Sequence, residues 1–85
     1  LPVTIPFAGS YVSKNGARVD LLSDGGNYFL SFSDDEWNWF AEAKMVGPTL
    51  FKLLSFSILV ELTATGISYI QPDSQPESFT KITKN

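Results

Sequence analysis

Short stretches of alternating hydrophobic and polar residues, separated by turn-forming residues, run along the whole chain. The turn signals are Asn15-Gly16, Asp24-Gly25-Gly26, Asp34-Asp35-Glu36, Gly47-Pro48, Thr65-Gly66 and residues 72–76. Intervals of roughly 8 to 12 residues, filled with aromatic and β-branched residues, are typical of short antiparallel strands. The pattern predicts an all-β fold: a small up-and-down meander of roughly eight short strands in a closed or nearly closed barrel.

The first half of the chain gives the clearest alternation. Residues 17–21, 28–32 and 37–45 alternate apolar residues with mostly polar ones, and residues 7–13 do so loosely, as expected for strands with one face towards a core. Asn15-Gly16 predicts a type I′ hairpin turn between the first two strands, because both residues tolerate a positive φ. The other turn signals then direct each strand back beside its predecessor.

Residues 49–63 are ambiguous because hydrophobic residues crowd both faces of any regular element. A helix is one interpretation, since Leu50, Leu53 and Leu54 lie near helical spacing and Gly66 would end it. The richness in Phe, Ile, Val, Ser and Thr favours strand instead. Whether the segment forms one long bent strand or two strands joined near Ser55 stays open, because no typical turn residue marks that position.

The chain of 85 residues fits one domain, residues 1–85, with residues 1–6 as an extended lead-in and residues 84–85 as a polar tail. Two prolines make the lead-in a poor signal peptide, and it fits the trimmed start of an exported chain, either secreted or periplasmic. The compartment itself is not determined. We expect no transmembrane segment, because the apolar run at 49–63 is short and contains Lys52 and Glu61.

Composition and charge exclude several classes of function. Histidine and cysteine are absent, which removes the side chains that most often act as bases or nucleophiles near neutral pH. Six basic residues are scattered through a chain of net charge -3, so nucleic acid is not an expected partner. We predict no enzyme, no catalytic residue and no cofactor.

Asp34, Asp35 and Glu36 are the densest acidic group in the sequence. A carboxylate pair for glycoside hydrolysis is one interpretation of them, but a group at a turn tip is more typical of ordinary solvated charges. Calcium binding at this cluster, or near residues 24–27, is an alternative interpretation. Neither segment has the spacing of a known calcium loop, so we predict no metal site.

Aromatic residues provide the main candidate for ligand binding. Trp37 and Trp39 lie two apart on a predicted strand and therefore project from one face, and Tyr28 or Phe40 could extend that surface. Such a platform would stack on sugar rings or line an apolar pocket. The alternative is that the tryptophans simply fill one end of the barrel.

The apolar run provides a candidate partner interface at Leu50, Leu54, Phe56 and Leu59. A strand with bulky residues on both faces must be covered on both, and in a single-layer barrel one face would otherwise meet water. A local helix or loop could cover it within the chain. Docking of a protein partner, or self-association, is the other solution.

Gly9-Ser10-Tyr11 resembles the Gly-x-Trp opening of lipocalin-like barrels, with Tyr11 in the place of tryptophan and a much shorter chain around it. That resemblance implies a barrel that holds a small apolar ligand. Our leading hypothesis from the residues is a non-catalytic binding module for a protein partner. The alternative is a small lipocalin-like or carbohydrate-binding barrel.

Overall fold

The computed structural model describes residues 7–82 and forms a closed β-barrel in which each strand pairs with its neighbours in sequence. All pairings are antiparallel, and the prediction of a closed meander of eight strands is confirmed. The predicted lead-in (1–6) and tail (84–85) lie outside the described residues. The strands are β1 Gly9–Val12, β2 Arg18–Asp24, β3 Asn27–Ser33, β4 Asn38–Gly47, β5 Leu50–Leu53, β6 Leu59–Leu62, β7 Gly66–Ile70 and β8 Glu77–Lys81.

The core consists of the inward-facing residues that alternate along each strand. On β2, Val19 and Leu21 are buried while Arg18 and Leu22 are exposed, which is the period-two pattern of a half-buried strand. The interior is filled by side chains, as expected for a barrel of eight strands. Its largest fully buried members are Tyr11, Phe51, Phe79, Leu21, Leu30, Leu53, Ile67, Val19 and Val60.

The hairpin between β1 and β2 forms where predicted, but its turn type differs from the prediction. In this turn the φ angle is positive at Gly16 (90°) and not at Asn15, so the prediction of a type I′ turn is wrong. Ser13 N donates to Ala17 O (2.9 Å) and Gly16 N donates to Ser13 O (3.0 Å), which closes a longer loop. One residue with positive φ is sufficient in such a loop, and Gly16 supplies it.

Residues 49–63 form two strands, β5 and β6, joined by a loop at residues 54–58, and no helix. The helix alternative is therefore wrong, and the two-strand alternative with a connection near Ser55 is confirmed. Leu53 N donates to Ile58 O (3.1 Å) across the base of this loop. Residues 7–82 contain no helix with the length and apolar content that crossing a membrane requires.

An up-and-down barrel has two ends, and they carry different turns. The front end, as we call it, carries the turns at residues 13–17, 34–37, 54–58 and 71–76. The back end carries the turns that join β2 to β3, β4 to β5 and β6 to β7, together with the two ends of the described chain. Every side chain near a strand terminus can therefore be assigned to one of two separate surfaces.

The barrel closes where β8 returns to β1. Tyr11 lies opposite Lys81 and Val12 opposite Thr80, and Ile82 N donates to Ser10 O (2.8 Å). Inside this seam the buried Tyr11 hydroxyl donates to Phe7 O, which satisfies its polar atom within the core. Gly66, at the start of β7, lies opposite Thr80 and packs directly on the β8 backbone.

We predict that Gly66→Ala strongly destabilises the barrel. A Cβ at this position would lie 1.9 Å from Phe79 O and 2.9 Å from Thr80 Cα, so the two strands would have to separate. We expect the free energy of unfolding, measured by urea denaturation and far-ultraviolet dichroism, to fall by about 2 kcal/mol or more.

Gly47→Ala is the matched control, because its added Cβ would meet only Leu50 Cβ at 3.6 Å, an ordinary contact. We expect it to change the same free energy by less than about 1 kcal/mol. Equal stability of the two variants would show that the close approach of β7 and β8 at Gly66 is not a constraint.

Candidate functional site

The four aromatic residues predicted to bind a ligand do not form one surface. Trp37 is in the turn before β4 and is 68% exposed, and Trp39 is half-buried on the inner face of β4 at the front end. Tyr28 is at the back end, where its ring lies 5.2 Å from that of Phe51. Phe40 lies on the outer face of the barrel. The predicted continuous surface is corrected, because Tyr28 lies at the back-end start of β3 and the alternation along β4 turns Phe40 to the outer face.

Phe40 belongs to an outer apolar pair rather than to a pocket. It is 61% exposed and its ring stacks on Phe29 at a centroid distance of 5.5 Å. Position 40 points away from the core because its neighbours Trp39 and Ala41 point inward, and successive side chains of a strand alternate. A single outward position cannot extend a surface built on inward ones.

Four aromatic residues at the front end are joined by ring contacts, and Trp37 lines a recess together with three of them. We call this group the aromatic mouth: Phe32, Trp37, Trp39, Phe56 and Tyr69. Phe32 stacks on Trp39 (5.4 Å between centroids, 12° between planes) and on Tyr69 (5.6 Å, 22°). Phe56, in the loop after β5, packs against Trp39 with 4.8 Å between the ring centroids. Stacked rings at these distances attract one another and hold their neighbours in place.

Sequence reasoning found Trp37, Trp39 and Phe56 but missed Phe32 and Tyr69. Both missed residues are the last inward-facing positions of their strands before a front-end turn, at the end of β3 and within β7. Alternation places each on the inner face of its strand, but only the closed barrel brings the Tyr69 ring onto Phe32 (5.6 Å between centroids), and the register sets Phe32 opposite Trp39. Each is an aromatic residue two positions before a front-end turn, and this shared position in the sequence could have identified both.

The turn at residues 34–37 fixes Trp37 at the rim of the mouth. Asp34 Oδ1 accepts hydrogen bonds from the backbone N–H groups of Glu36 and Trp37, both at 2.8 Å. The backbone of Asp34 also donates to Trp37 O (2.9 Å). An Asp side chain that bonds to the backbone two and three residues ahead is a common way to stabilise a tight turn. The backbone that carries the exposed indole is therefore held in one conformation.

Two recesses open at the front end and share a wall. One, with a volume of about 380 Å³, lies among Asp34, Trp37, Trp39, Tyr69 and Glu77. The other, of about 390 Å³, lies beside it, and Phe32, Asp34 and Glu77 line both. Volumes of this order match those of small-ligand sites.

The Tyr69 hydroxyl reports the electrostatic character of the mouth. Burial raises the pKa of Tyr69 to about 12, and the nearby carboxylates of Glu77 and Asp34 contribute in the same direction. A negative neighbour disfavours a phenolate just as removal from water does. The mouth therefore presents aromatic rings in a region of negative potential.

The residues predicted as a partner interface divide between two places. Leu50 and Leu59 are half-buried on the outer face of β5 and β6, and Leu54 follows β5 with an exposed fraction of 55%. Phe56 belongs instead to the aromatic mouth. The interface prediction for the first three stays a prediction, since outward apolar side chains identify a face and not its partner.

A third recess, of about 570 Å³, opens at the back end and is mostly apolar. Phe7, Tyr11, Leu62 and Lys81 are among its lining residues. Lys81 projects inward because it shares the face of the buried Phe79, two residues earlier on β8. The back end thus combines an apolar wall with an ammonium group.

Within residues 7–82 no group of three acidic side chains stands close enough to hold a metal ion. Asp34, Asp35 and Glu36 are all exposed, as expected for a solvated turn. No buried side-chain nitrogen or oxygen in this part of the chain lacks a hydrogen-bond partner.

Comparisons with known proteins return no relative for this chain: no family model, no curated protein and no solved structure matches it.

We predict that stability declines above pH 10 in a way that depends on Tyr69. Its pKa of about 12 in the folded protein exceeds the ordinary value of 10.0, so the folded chain keeps a proton that the unfolded chain releases. This contribution is complete below pH 10 and is lost as pH rises towards 12, by at most about 1.4 kcal/mol per pH unit.

Urea unfolding at about pH 9 and about pH 11, in the wild type and in Tyr69→Phe, measures the contribution, and we expect the decline to be smaller by about 1 kcal/mol in the variant. Burial also raises the pKa of Tyr11, so a remaining decline of the same sign is expected in both proteins. An identical decline in both would contradict the assignment to Tyr69.

Proposed function

We propose that this protein is a non-catalytic binding domain that holds a segment of another protein at the aromatic mouth. The observation that carries the proposal is the exposure of Trp37, 68% open to solvent beside the half-buried ring of Trp39. Large exposed aromatic surfaces mark interaction sites, and tryptophan and tyrosine dominate the binding energy of protein interfaces.

The organisation of the mouth supports the proposal. Phe32, Trp39 and Tyr69 are held by mutual stacking, while Asp34 fixes the turn that presents Trp37. A site whose side chains are already ordered loses little conformational entropy when a partner binds. Phe56, 41% exposed and in contact with Trp39, extends the same surface to the loop after β5.

The absence of histidine and cysteine from the sequence supports a non-catalytic role. Asp34 uses Oδ1 to stabilise its own turn. The acidic residues at this end are therefore interpreted as charge around a binding surface.

Selection of a random peptide library on the immobilised protein tests the proposal. We expect the recovered peptides to bind the wild type and to lose affinity by about tenfold or more in Trp37→Ala, because a rim tryptophan that covers a partner contributes strongly. Fluorescence titration with individual synthetic peptides gives the affinities.

Leu22→Ala is the matched control, since Leu22 is also exposed (46%) but lies on the outer face of β2. Its affinity for the same peptides should equal that of the wild type. Peptides that bind Trp37→Ala as well as the wild type, or that respond to Leu22→Ala instead, would refute the proposed site.

The back-end recess favours a second candidate function, the binding of an apolar ligand with an anionic group. Its wall is mostly apolar, and Lys81 places an ammonium group on the inner face of the seam. This is the arrangement expected for an aliphatic carboxylate, whose chain is buried while its charge meets a cation.

Dodecanoate is a suitable probe of this second site. We expect it to shift the amide resonances of Leu62 and Thr80, which line the recess, and to bind about tenfold more weakly to Lys81→Gln because the ion pair is lost. Dodecanol provides the uncharged comparison. Equal affinity of the wild type and of Lys81→Gln for dodecanoate would refute this second candidate function.

A further inference from the structure

Negative charge is concentrated at the front end. Of the nine acidic residues, five are in its turns or at the start of the strand that leaves them: Asp34, Asp35, Glu36, Asp73 and Glu77. Within the described chain, Lys14 is the one basic residue in the same four turns, and Arg18 at the start of β2 pairs with Asp20 (3.2 Å). The rim therefore carries a net negative charge.

Glu77 places one of these carboxylates on the inner side of the barrel. It shares the inward face of β8 with the buried Phe79 and lies opposite Tyr69 in the register. It is partly buried, and it lines both front-end recesses together with Asp34. Most inward positions of a small barrel are apolar, so a carboxylate here needs a reason.

No cation of the described chain provides that reason. The ion pair found within residues 7–82 is Arg18–Asp20, on the outer side of β2, and it leaves Glu77 and Asp34 without a basic partner in that part of the chain. A partly buried carboxylate without a counter-charge loses solvation for no electrostatic gain. A cation from a partner molecule would provide the missing counter-charge.

Aromatic rings add a second preference for the same charge. The faces of tryptophan, tyrosine and phenylalanine carry negative electrostatic potential and attract cations within about 6 Å of the ring centroid. Trp37, Trp39 and Tyr69 line the recess that Glu77 and Asp34 also line. Anionic ligands are disfavoured by the carboxylates, and a neutral sugar would gain nothing from the net field.

We propose that the aromatic mouth holds an organic cation, the ammonium or guanidinium group of a lysine or arginine side chain, between its rings and the carboxylates of Glu77 and Asp34. The inference rests on the proposed function, because it specifies the chemistry of the partner segment at the same site. The partner is accordingly a basic segment of another protein.

Blocked amino acids test the cation directly, with the two indole N–H resonances as reporters, since the chain contains two tryptophans. N-acetyl-arginine N-methylamide and its lysine counterpart should shift both resonances in a saturable way. N-acetyl-norleucine N-methylamide, which has a neutral aliphatic side chain, should bind about tenfold more weakly because it lacks the charge. High salt should weaken the first two and leave the norleucine compound unaffected.

Glu77→Gln removes the inward charge and keeps the size of the side chain, and it should lower the affinity for blocked arginine about fivefold to tenfold. The matched control is Glu61→Gln, which changes an exposed carboxylate on the outer face of β6 and should leave the affinity unchanged. Far-ultraviolet dichroism checks that both variants keep the barrel fold.

Equal binding of norleucine and arginine compounds, preferential binding of N-acetylglucosamine, or unchanged affinity in Glu77→Gln would overturn the inference. Saturation by tetramethylammonium without binding of blocked lysine or arginine would overturn the side-chain assignment in favour of a small free cation. Selected peptides that require Trp37 but carry no basic residue would refute the proposed cation and leave the proposed function standing. Peptides insensitive to Trp37→Ala would refute the proposed function itself.

Discussion

Closure of the sheet by β1 and β8 is the constraint on which the rest of this structure depends. The seam is short, with two register pairs and the added hydrogen bond from Ile82 to Ser10. It nevertheless removes both free edges, which would otherwise expose unpaired backbone groups. It also forces every inward side chain into one shared interior, so a small chain without disulfides can bury a continuous core.

Closure also creates the two ends of the barrel, and the candidate site follows from them. Alternation along a strand assigns a residue to the inner or outer face, whereas its distance from the turns assigns it to an end. Phe32, Trp39 and Tyr69 satisfy both conditions for the front end. The rings of the mouth therefore adjoin the core on one side, where Tyr69 contacts Phe79, and are open to solvent on the other.

The front end departs from what stability alone favours. A highly exposed tryptophan, an inward carboxylate and a concentration of like charge each carry a cost, and here they occur together. Elsewhere the inward positions are mostly apolar, while Leu22, Phe40 and Val46 are exposed on the outer face of the barrel. Local conflict of this kind within a consistent fold is typical of sites selected for function.

The local pattern left the form of residues 49–63 open, and it grouped aromatic residues that the fold separates. Residues 49–63 carry no typical turn residue, so the loop at 54–58 becomes evident only when β5 and β6 pair with their neighbours. Tyr28 and Phe40 are aromatic like Trp39, but Tyr28 lies at the back end of β3 and the alternation along β4 turns Phe40 outward. Spacing along one strand assigns a residue to a face, and the end of the barrel that it occupies follows only from the order of the strands and turns.

The sequence by itself determined the all-β class, the approximate number of strands, the inner faces of β2, β3 and β4, and the lack of the usual catalytic side chains, because these depend on local alternation, turn chemistry and composition. The same turn rhythm also predicted a closed or nearly closed barrel. Only the tertiary structure decided that the barrel closes fully through β1 and β8, that Phe32, Trp39, Phe56 and Tyr69 gather at one end, and that Glu77 lies inward beside them. The reason is that these features depend on register between strands that are far apart in sequence, and register is fixed by the packing of the whole interior.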